Sequence, residues 1–546
     1  MSIIIASTQA QDVYVSGRLS LSTGFNKING IDPRKPAFSY VLNGNPTLHI
    51  GKFQLPFGLL LSNYQRSFSQ PFNQFGLSPT FHGVTFHLGH RSITWSKYSL
   101  GGHRFFGLGG ETQLGKFRLG FIKGRFLNAT RGNTTSSPIS PIMAFTRNGY
   151  AVKLGLGLKN NHFDIIYFKA KDDTTSLDSI EKIKLKPKEN AILGLKGAFR
   201  IKKNLRINID FGVSGLSRDL SSPSLKLDTS NNLVRFAKKV LNPNISTQIN
   251  FAREVSFAYK GQKFGVDIKH KNINPGYTSL GSYYLRTDLN QNSIGGYLSF
   301  IKNKYYFRVR YGQENDNVKN QKLQTTNRTI YSINAMLRPV SPFNLMLQYS
   351  NFGVSQKSKQ VSISDTTQLN NITKSLVISP NLSFKIKSIQ QNLNLIYSNQ
   401  ILNDQNKYTV AYTTIKSKTY NINYSTSTKN SWSGNIGWNR TNSKISAGKT
   451  QSNGLSLSVN KSYLKVGLSI GAMYFYSKNK YNNTSNGHTS RLSTNISYTL
   501  SRNHLIRFDF YQLTNQSSHN EVSKSFIEKN IRMTYSYRFS TKKAKK

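Results

Sequence analysis

The sequence predicts an all-β protein: a single large antiparallel transmembrane β-barrel of roughly 22 to 26 strands. Three observations support this fold class. Apolar and polar residues alternate along many segments, no run of about 18 apolar residues could form a transmembrane helix, and short and long polar connections take turns along the chain. If the chain spans a membrane, it must therefore do so as a closed barrel, because lipid offers no partners for unpaired backbone groups.

The alternation is clearest in two segments, where apolar residues occupy every second position. In the first, the apolar residues Leu205, Ile207, Ile209, Phe211 and Val213 are separated by polar residues that include Arg206, Asn208 and Asp210. The apolar residues of the second segment, near the carboxyl terminus, are Ile531, Met533, Tyr535, Tyr537 and Phe539. Successive side chains of a strand point to opposite faces, so each such strand has one apolar and one polar face.

The connections favour one barrel over a series of soluble sandwiches. Short turns are predicted around 113–116, 159–162, 202–204, 260–263, 302–304, 339–342 and 501–504. Longer polar segments are predicted at 128–145, 171–190, 217–250, 271–290, 313–327, 353–371, 477–488 and 514–525. Outer-membrane barrels show this asymmetry between their two ends. The alternation is ambiguous between residues 400 and 450, and the tally is roughly 26 strands.

Composition agrees with strands that bury a single face. The chain has 546 residues, of which 37% are hydrophobic, below the roughly 45–50% of ordinary globular domains. It has 74 Lys and Arg against 22 Asp and Glu, a net charge of 74 − 22 = +52, and no cysteine. The absence of cysteine excludes disulfides, thiolate metal ligands, a cysteine nucleophile and a lipid-anchored N-terminal cysteine.

The chain divides into three parts. Residues 1–10 resemble the end of a secretory signal, with an apolar run at Ile3 to Ile5 and with Thr8 and Ala10 at positions −3 and −1 of a cut before Gln11. The alternative is an ordinary frayed terminus. Residues 11–539 form the predicted barrel, and residues 540–546 form a short basic tail. Within the barrel, residues 63–79 are a candidate loop folded into the lumen, with a long surface loop as the alternative.

Basic residues on polar strand faces are the candidate functional residues. They are Arg206, Arg308, Arg310, Lys385, Lys387, Arg507, Arg532 and Arg538. In a barrel these side chains would point into the lumen, where fixed positive charge favours the entry of anions. Loop lysines could instead bind phosphates of surface lipids. The alternative is that all these cations are solvated charges without a dedicated ligand.

Catalytic and metal chemistry have little support. His82, His87, His90 and His103 lie close in sequence. On one extended strand His82 and His90 would share a face and His87 would lie on the other, so these three could not converge on a metal ion. No G-x-S-x-G signal places a nucleophile. Asp210 is expected to form a lumenal ion pair with Arg206, and Asp509 is expected to pair with Arg507. We therefore predict no enzyme activity, no catalytic residues, no metal and no cofactor.

Several segments are similar to those of a known group of proteins. They are Phe68–Pro79, Tyr98–Gly107, Lys186–Asn190 and Asn274–Gly281. In these segments the chain resembles a poorly characterised group of outer-membrane barrels, porin-like or like TonB receptors without a plug, from Bacteroidota-type bacteria. The resemblance spans nearly the whole chain. It implies a location in the outer membrane of a Gram-negative bacterium and a barrel fold, without an activity.

The closing segment, Asn530–Phe539, resembles the terminal strand of outer-membrane barrels. The resemblance implies that the barrel-assembly machinery reads its alternating aromatic residues and its final Phe539. Seven more residues, Ser540 to Lys546, follow that phenylalanine, which departs from the usual pattern.

Three functions remain open. The first is a porin-like passive channel with a basic lumen that favours anionic solutes. The second is a non-conducting structural or docking barrel in a surface or secretion assembly, and the third is a secreted polyanion-binding β-protein. Outer-membrane lipid, the assembly machinery, anionic solutes and surface lipids are the expected partners. No nucleic acid is expected, since the charge is spread along the chain rather than gathered into a stripe.

Overall fold

The chain folds as one closed wall of antiparallel strands. The computed structural model describes residues 13–51, 53–63, 73–131, 143–178, 185–225, 241–358, 369–406, 409–518 and 525–541. The predicted signal remnant at 1–10 and most of the predicted basic tail lie outside the described residues.

The described residues form 28 strand segments. The first fourteen are β1 (Val13–Asn29), β2 (Phe38–Gly44), β3 (Thr47–Ile50), β4 (Phe53–Ser62), β5 (Gln74–Leu77), β6 (Thr80–Phe81), β7 (Val84–Thr94), β8 (Gly101–Leu114), β9 (Phe117–Leu127), β10 (Thr146–Leu158), β11 (Asn161–Asp173), β12 (Glu189–Ile201), β13 (Leu205–Ser217) and β14 (Thr247–Lys260). The others are β15 (Phe264–Ile273), β16 (Leu289–Phe300), β17 (Tyr305–Asn315), β18 (Gln324–Leu337), β19 (Phe343–Ser358), β20 (Asn370–Ile386), β21 (Ile389–Asp404), β22 (Ile415–Ser427), β23 (Trp432–Ile445), β24 (Gly448–Tyr463), β25 (Leu468–Tyr481), β26 (Thr484–Ser501), β27 (His504–Gln516) and β28 (Phe526–Ser540).

Two barrel strands are interrupted by proline. β2 and β3 both pair with β1 and β4, on either side of Pro46. β5 and β6 both pair with β4 and β7, on either side of Pro79. Proline has no amide proton to donate to a ladder, so each strand breaks there and resumes. The described wall therefore has 28 − 2 = 26 strands.

The barrel closes between its first and last strands. β1 and β28 pair antiparallel from Ser16 opposite Ser540 to Asn29 opposite Ile527. Closure leaves no free sheet edge, which is the condition for spanning lipid with strands. The prediction of an all-β, closed antiparallel barrel is confirmed, at the upper limit of the predicted strand number.

The two rims of the barrel differ. Between the described strands, the connections at one rim have two to five residues, while eleven of the thirteen at the other rim have six or more. The predicted long segment at 477–488 is an exception, because β25 and β26 join there through the two-residue turn Asn482–Asn483. Both residues have positive φ, 47° and 68°, a conformation that asparagine tolerates in tight hairpins.

The outer face of the wall is apolar. Leu21, Phe121, Leu154 and Leu455 lie on it and are 42%, 42%, 56% and 60% exposed. Large apolar side chains exposed around a closed sheet require lipid rather than water as their neighbour. The terminal-strand residues follow the same pattern: Ile531, Met533 and Tyr535 are 40%, 49% and 37% exposed on this face.

One short helix, α1 (Val410–Thr413), lies in the connection between β21 and β22. None of the helices in the described part of the chain has the length and apolarity needed to cross a membrane.

Candidate functional site

Two connections fold into the lumen at the rim with the long connections. We call Trp95–Leu100, between β7 and β8, the first inward segment, and Asn274–Asp288, between β15 and β16, the second. In the first, Ser96, Tyr98, Ser99 and Leu100 have no solvent exposure. Such burial shows that the first inward segment lies inside the barrel rather than on its surface.

Hydrogen bonds to backbone carbonyl groups join the two inward segments. The amide of Gly101 donates to the carbonyl of Gly281 at 2.9 Å, and the hydroxyl of Ser279 donates to the carbonyl of Ser99. The phenol of Tyr277 donates to the carbonyl of Tyr98 at 2.6 Å. Burial raises the pKa of Tyr277, so its phenol keeps the proton that it donates.

The first inward segment is anchored to the inner wall by charged groups. The hydroxyl of Ser96 donates to Asp210 of β13 at 2.5 Å. Glu254 of β14 accepts from the ammonium of Lys97 at 2.9 Å and from the phenol of Tyr98 at 3.1 Å. Because hydrogen bonds to charged groups contribute about 1.5–3 kcal/mol each, these contacts hold the segment firmly against the wall.

Trp95, at the other end of the first inward segment, is anchored by Glu111, Lys153 and Lys196 of the wall. The indole of Trp95 donates to Glu111 of β8 at 2.7 Å. The same carboxylate accepts from the ammonium of Lys153 at 2.6 Å, and Lys196 donates to the carbonyl of Trp95 at 2.6 Å. The contacts of one short segment thus reach from β8 to β14.

Glycines in the wall make room for the inward segments. A Cβ on Gly212 would lie 2.3 Å from the phenolic oxygen of Tyr277 and 3.0 Å from the Cβ of Tyr98. A Cβ on Gly194, directly opposite in the register, would lie 3.2 Å from the Oγ of Ser99. The wall is therefore built to receive backbone at this height.

An apolar core covers the same region. Leu100 and Leu280 pack in one buried cluster with Ile122, Ile166 and Phe168 of β9 and β11. Tyr98 and Tyr277 belong to a second cluster. Burying each large apolar side chain contributes about 1.5–3 kcal/mol, so the β8–β16 side of the lumen is filled by packed protein.

The opposite side of the lumen is lined by neutral polar groups. The inner faces of β21 to β27 enclose a cavity of about 760 Å³. Its lining is mostly amide and hydroxyl side chains together with Arg491 and Arg507, and includes Asn392, Ser425, Asn435, Ser458, Asn460, Ser493, Asn495 and Ser497. Such groups both donate and accept hydrogen bonds, so this surface is wetted and suits hydrophilic solutes.

Arginines run down the lumen beside the closing seam. Arg18 of β1 lies directly opposite Arg538 of β28, and Arg532 lies opposite Asp509. Arg507 pairs with Asp509 at 2.9 Å. On β26, β27, β28 and β1, five inward arginines (these four and Arg491) face two inward carboxylates, Asp509 and Glu528, giving a net 5 − 2 = +3.

The register shows where the other predicted basic residues lie. Arg308 and Arg310 face inward and contact Asp267, at 4.0 Å and 2.9 Å. Arg206 lies on the inner face opposite Ala258, and Lys385 lies inward opposite Gln390. Lys387 follows the end of β20 and occupies a turn with φ 52°, not a strand face.

Two expectations about the lumen differ from the structure. Asp210 does not pair with Arg206. Its two carboxylate oxygens accept hydrogen bonds from the hydroxyl of Ser96 and the amide of Lys97 in the first inward segment. In the candidate loop at 63–79, Gln74–Leu77 forms part of the wall as β5, since its register with β4 and β7 satisfies its backbone. Residues 64–72 of that loop lie outside the described residues.

The histidines are separate structural residues. His87 lies 3.4 Å from Glu111, and His103 stacks on Tyr283 with ring centroids 4.2 Å apart. His82 occupies a turn. Within the described ranges, no three His, Cys, Asp or Glu residues are grouped to hold a metal ion.

Sequence reasoning missed the inward segments, although a signal was present. The tripeptide Ser-Leu-Gly occurs at 99–101, where the first inward segment enters β8, and at 279–281 within the second. The two tripeptides hydrogen-bond to each other. Asn190 joins them, since its side-chain oxygen accepts from the amide of Leu280 at 3.1 Å. Three of the segments that resemble outer-membrane barrels thus meet at one place inside this barrel.

Much of the net charge lies outside the lumen. In sequence, the twelve short turns between described strands contain no Asp or Glu. Their cations in the described part of the chain are Lys116, Lys159, Lys202, Lys203, Lys263, Lys302, Lys304, Arg338, Lys387, Lys429, Lys465 and Arg502. The short-turn rim is therefore a ring of positive charge.

A closed antiparallel wall with an apolar outer face and a polar lumen defines a transmembrane β-barrel of the bacterial outer-membrane type. No protein-family model matches the sequence, and no curated protein is similar to it in sequence.

Solved structures give distant similarities. One is the P pilus usher (PapC) translocation pore, 10% identical with a TM-score of 0.38, covering 96% of this chain and 100% of that one. The FrpB iron transporter from Neisseria meningitidis is 10% identical with a TM-score of 0.38, covering 96% and 81%. The outer membrane protein opdK from Pseudomonas aeruginosa is 11% identical with a TM-score of 0.31, covering 71% and 98%. At these values no function is transferred to this chain.

Proposed function

We propose that this protein is a porin-like passive channel in the outer membrane of a Gram-negative bacterium, with a preference for anionic hydrophilic solutes. The observation that carries the proposal is the polar inner surface of β21 to β27. Its neutral amide and hydroxyl lining is joined to a column of five arginines that face two carboxylates. Fixed positive charge along a wet path lowers the entry barrier for anions.

The test is conductance of the purified protein in a planar bilayer. We expect discrete current steps and, under a salt gradient, a reversal potential of the sign that marks anion preference. The preference should weaken as salt rises, because exposed charges are screened. A cation-selective current, or an anion preference that does not change with salt, would contradict the arginine column as its source.

A second function is favoured by the filled side of the lumen. The inward segments and their apolar core occupy the wall from β8 to β16, which suits a non-conducting structural or docking barrel. Absence of current from protein that migrates as a folded, heat-modifiable barrel would support this function over the channel.

The secreted polyanion-binding alternative is opposed by the apolar outer face, which needs lipid or detergent around it.

Recognition of the terminal strand by the barrel-assembly machinery remains part of the proposal. It is supported by the outward alternation of Ile531, Met533, Tyr535, Tyr537 and Phe539 on β28. Removing these side chains should reduce insertion without changing the currents of the barrels that do insert.

A further inference from the structure

The outer face of β22 to β25 carries a dense group of cations at the rim with the long connections. We call it the rim patch, and its members are Lys416, Lys418, Arg440, Lys444, Lys449, Lys478 and Lys480. All seven are exposed, and all occupy the strand positions that alternate with the lumen-facing serines and asparagines.

The register places like charges side by side. Lys416 lies directly opposite Lys444, and Lys444 lies directly opposite Lys449. Directly opposed like charges destabilise a sheet. Two residues further from the rim, Lys418 and Lys480 end a row whose middle is Asn442 and Gln451. An external anion beside three adjacent lysines in one row would relieve this repulsion.

The described residues supply no carboxylate that pairs with the patch. Between Asp404 and Asp509 the sequence contains no Asp or Glu, and within the described residues none of the seven cations has a carboxylate partner within 4.0 Å. The connections of β23 to β24 and of β25 to β26 are two-residue turns, so these two connections do not cover the patch. The cations therefore face whatever lies outside the barrel.

The lipid boundary lies directly below the patch. The row after Arg440 and Lys478 consists of Ile422, Trp438, Leu455 and Tyr476, and the next of Tyr424, Ile436, Leu457 and Tyr474. A tryptophan and tyrosines at the border of an apolar band mark the interface between acyl chains and headgroups. The patch thus lies at headgroup height, and it spans about 14 Å across four strands.

We propose that the rim patch binds phosphorylated lipid headgroups of the surrounding leaflet. Phosphate is the chemistry that fits, since each phosphate carries charge and several acceptor oxygens for ammonium and guanidinium donors. Lipid is the source that fits, since the acyl chains of a bound molecule would lie on the apolar rows beneath. This inference rests on the membrane placement in the proposed function, but not on channel activity.

The test uses native mass spectrometry to measure lipid binding by the full-length protein in detergent, and it compares the wild type with two triple variants. The probes are diphosphorylated lipid A, its dephosphorylated form, phosphatidylcholine and inorganic pyrophosphate. The variant is K416Q/K444Q/K449Q, and the matched control is K263Q/K429Q/K465Q, which removes the same charge from the short-turn rim. Heat-modifiable migration confirms that each variant is folded.

We expect wild type and control to retain diphosphorylated lipid A, with affinity weakened on the order of tenfold to a hundredfold in the rim-patch variant. Equal binding by all three proteins, or equal loss in the control, would overturn the site. Displacement of the lipid by equimolar pyrophosphate would overturn the lipid as the source. Unchanged bilayer currents in the rim-patch variant would separate this site from the proposed channel.

Discussion

Neutralising two arginines of the lumenal column should reduce anion preference by an amount that the geometry sets. The double variant R532Q/R538Q changes the net inward charge of β26, β27, β28 and β1 from +3 to 3 − 2 = +1. A unit charge about 10 Å from a monovalent ion in water contributes about 0.4 kcal/mol. Removing both charges therefore costs a nearby anion about 0.8 kcal/mol, or roughly a fourfold lower local concentration at low salt.

Screening predicts how the effect depends on conditions. At 0.1 M salt the Debye length is about 10 Å, which reduces the difference to about 0.3 kcal/mol. The measurement is the reversal potential across a planar bilayer under a KCl gradient, at low and at high salt. The control is R253Q/K374Q, which removes two charges from the outer faces of β14 and β20. No shift in R532Q/R538Q, or an equal shift in the control, would refute the arginine column as the selectivity element.

Four further predictions concern the inward segments, their anchors and the seam. Tyr277→Phe removes the donor to the carbonyl of Tyr98 and should weaken the docking of the second inward segment by about 1–3 kcal/mol. The expected readout is a noisier single-channel current. The control Tyr284→Phe, at an 83% exposed position, should leave the current unchanged. Gly212→Ala places a methyl group 2.3 Å from the oxygen of Tyr277 and should raise conductance by displacing the segments, while Gly353→Ala, with its nearest contact at 3.8 Å, should not. The ammonium of Lys322 forms an ion pair with Asp288 at 2.6 Å. This contact holds the pKa of Asp288 below its ordinary 3.8 although burial opposes this, and Asp288 raises the pKa of Lys322 above 10.5. The contribution of this pair to stability is therefore present at neutral pH. It is lost as pH falls through the lowered pKa of Asp288 or rises through the raised pKa of Lys322. The current noise of the wild type should thus be flat near neutrality and rise below about pH 4, whereas K322M should be equally noisy at every pH. Tyr537→Ala removes a ring that stacks on Phe539 and His504, with centroids 5.3 Å and 4.5 Å away. It should lower the temperature at which the barrel unfolds in a heat-modifiability gel. Ser536→Ala, on the inner face, should lower that temperature less.

The wall was predictable because a period of two marks both faces of a strand. Residues 205–213 and 531–539 show this, since their alternation alone assigns each side chain to lipid or lumen. The strand count was hardest between residues 400 and 450, for a physical reason. There the outer face near the rim carries Lys416, Lys418 and Lys444, so both faces of the strands read as polar.

The filling of the lumen could not be predicted, because it depends on contacts between distant parts of the chain. Tyr98 and Tyr277 are 179 residues apart in sequence, and no local pattern pairs them. Asp210 shows the same limitation. The strand period places it correctly on the inner face, but its partner Ser96 comes from another part of the chain.

The division of the lumen has a consequence for how such a barrel can change. The inward segments are anchored on β8 to β16, whereas the five arginines of the column lie on β26 to β28 and β1. In the proposed channel, the groups that narrow the lumen and the column that favours anions therefore share no side chain. Substitutions in one set should leave the packing of the other intact. If the proposed channel function holds, pore size and charge preference could then be altered independently, by selection or by an engineer, within a single unchanged wall.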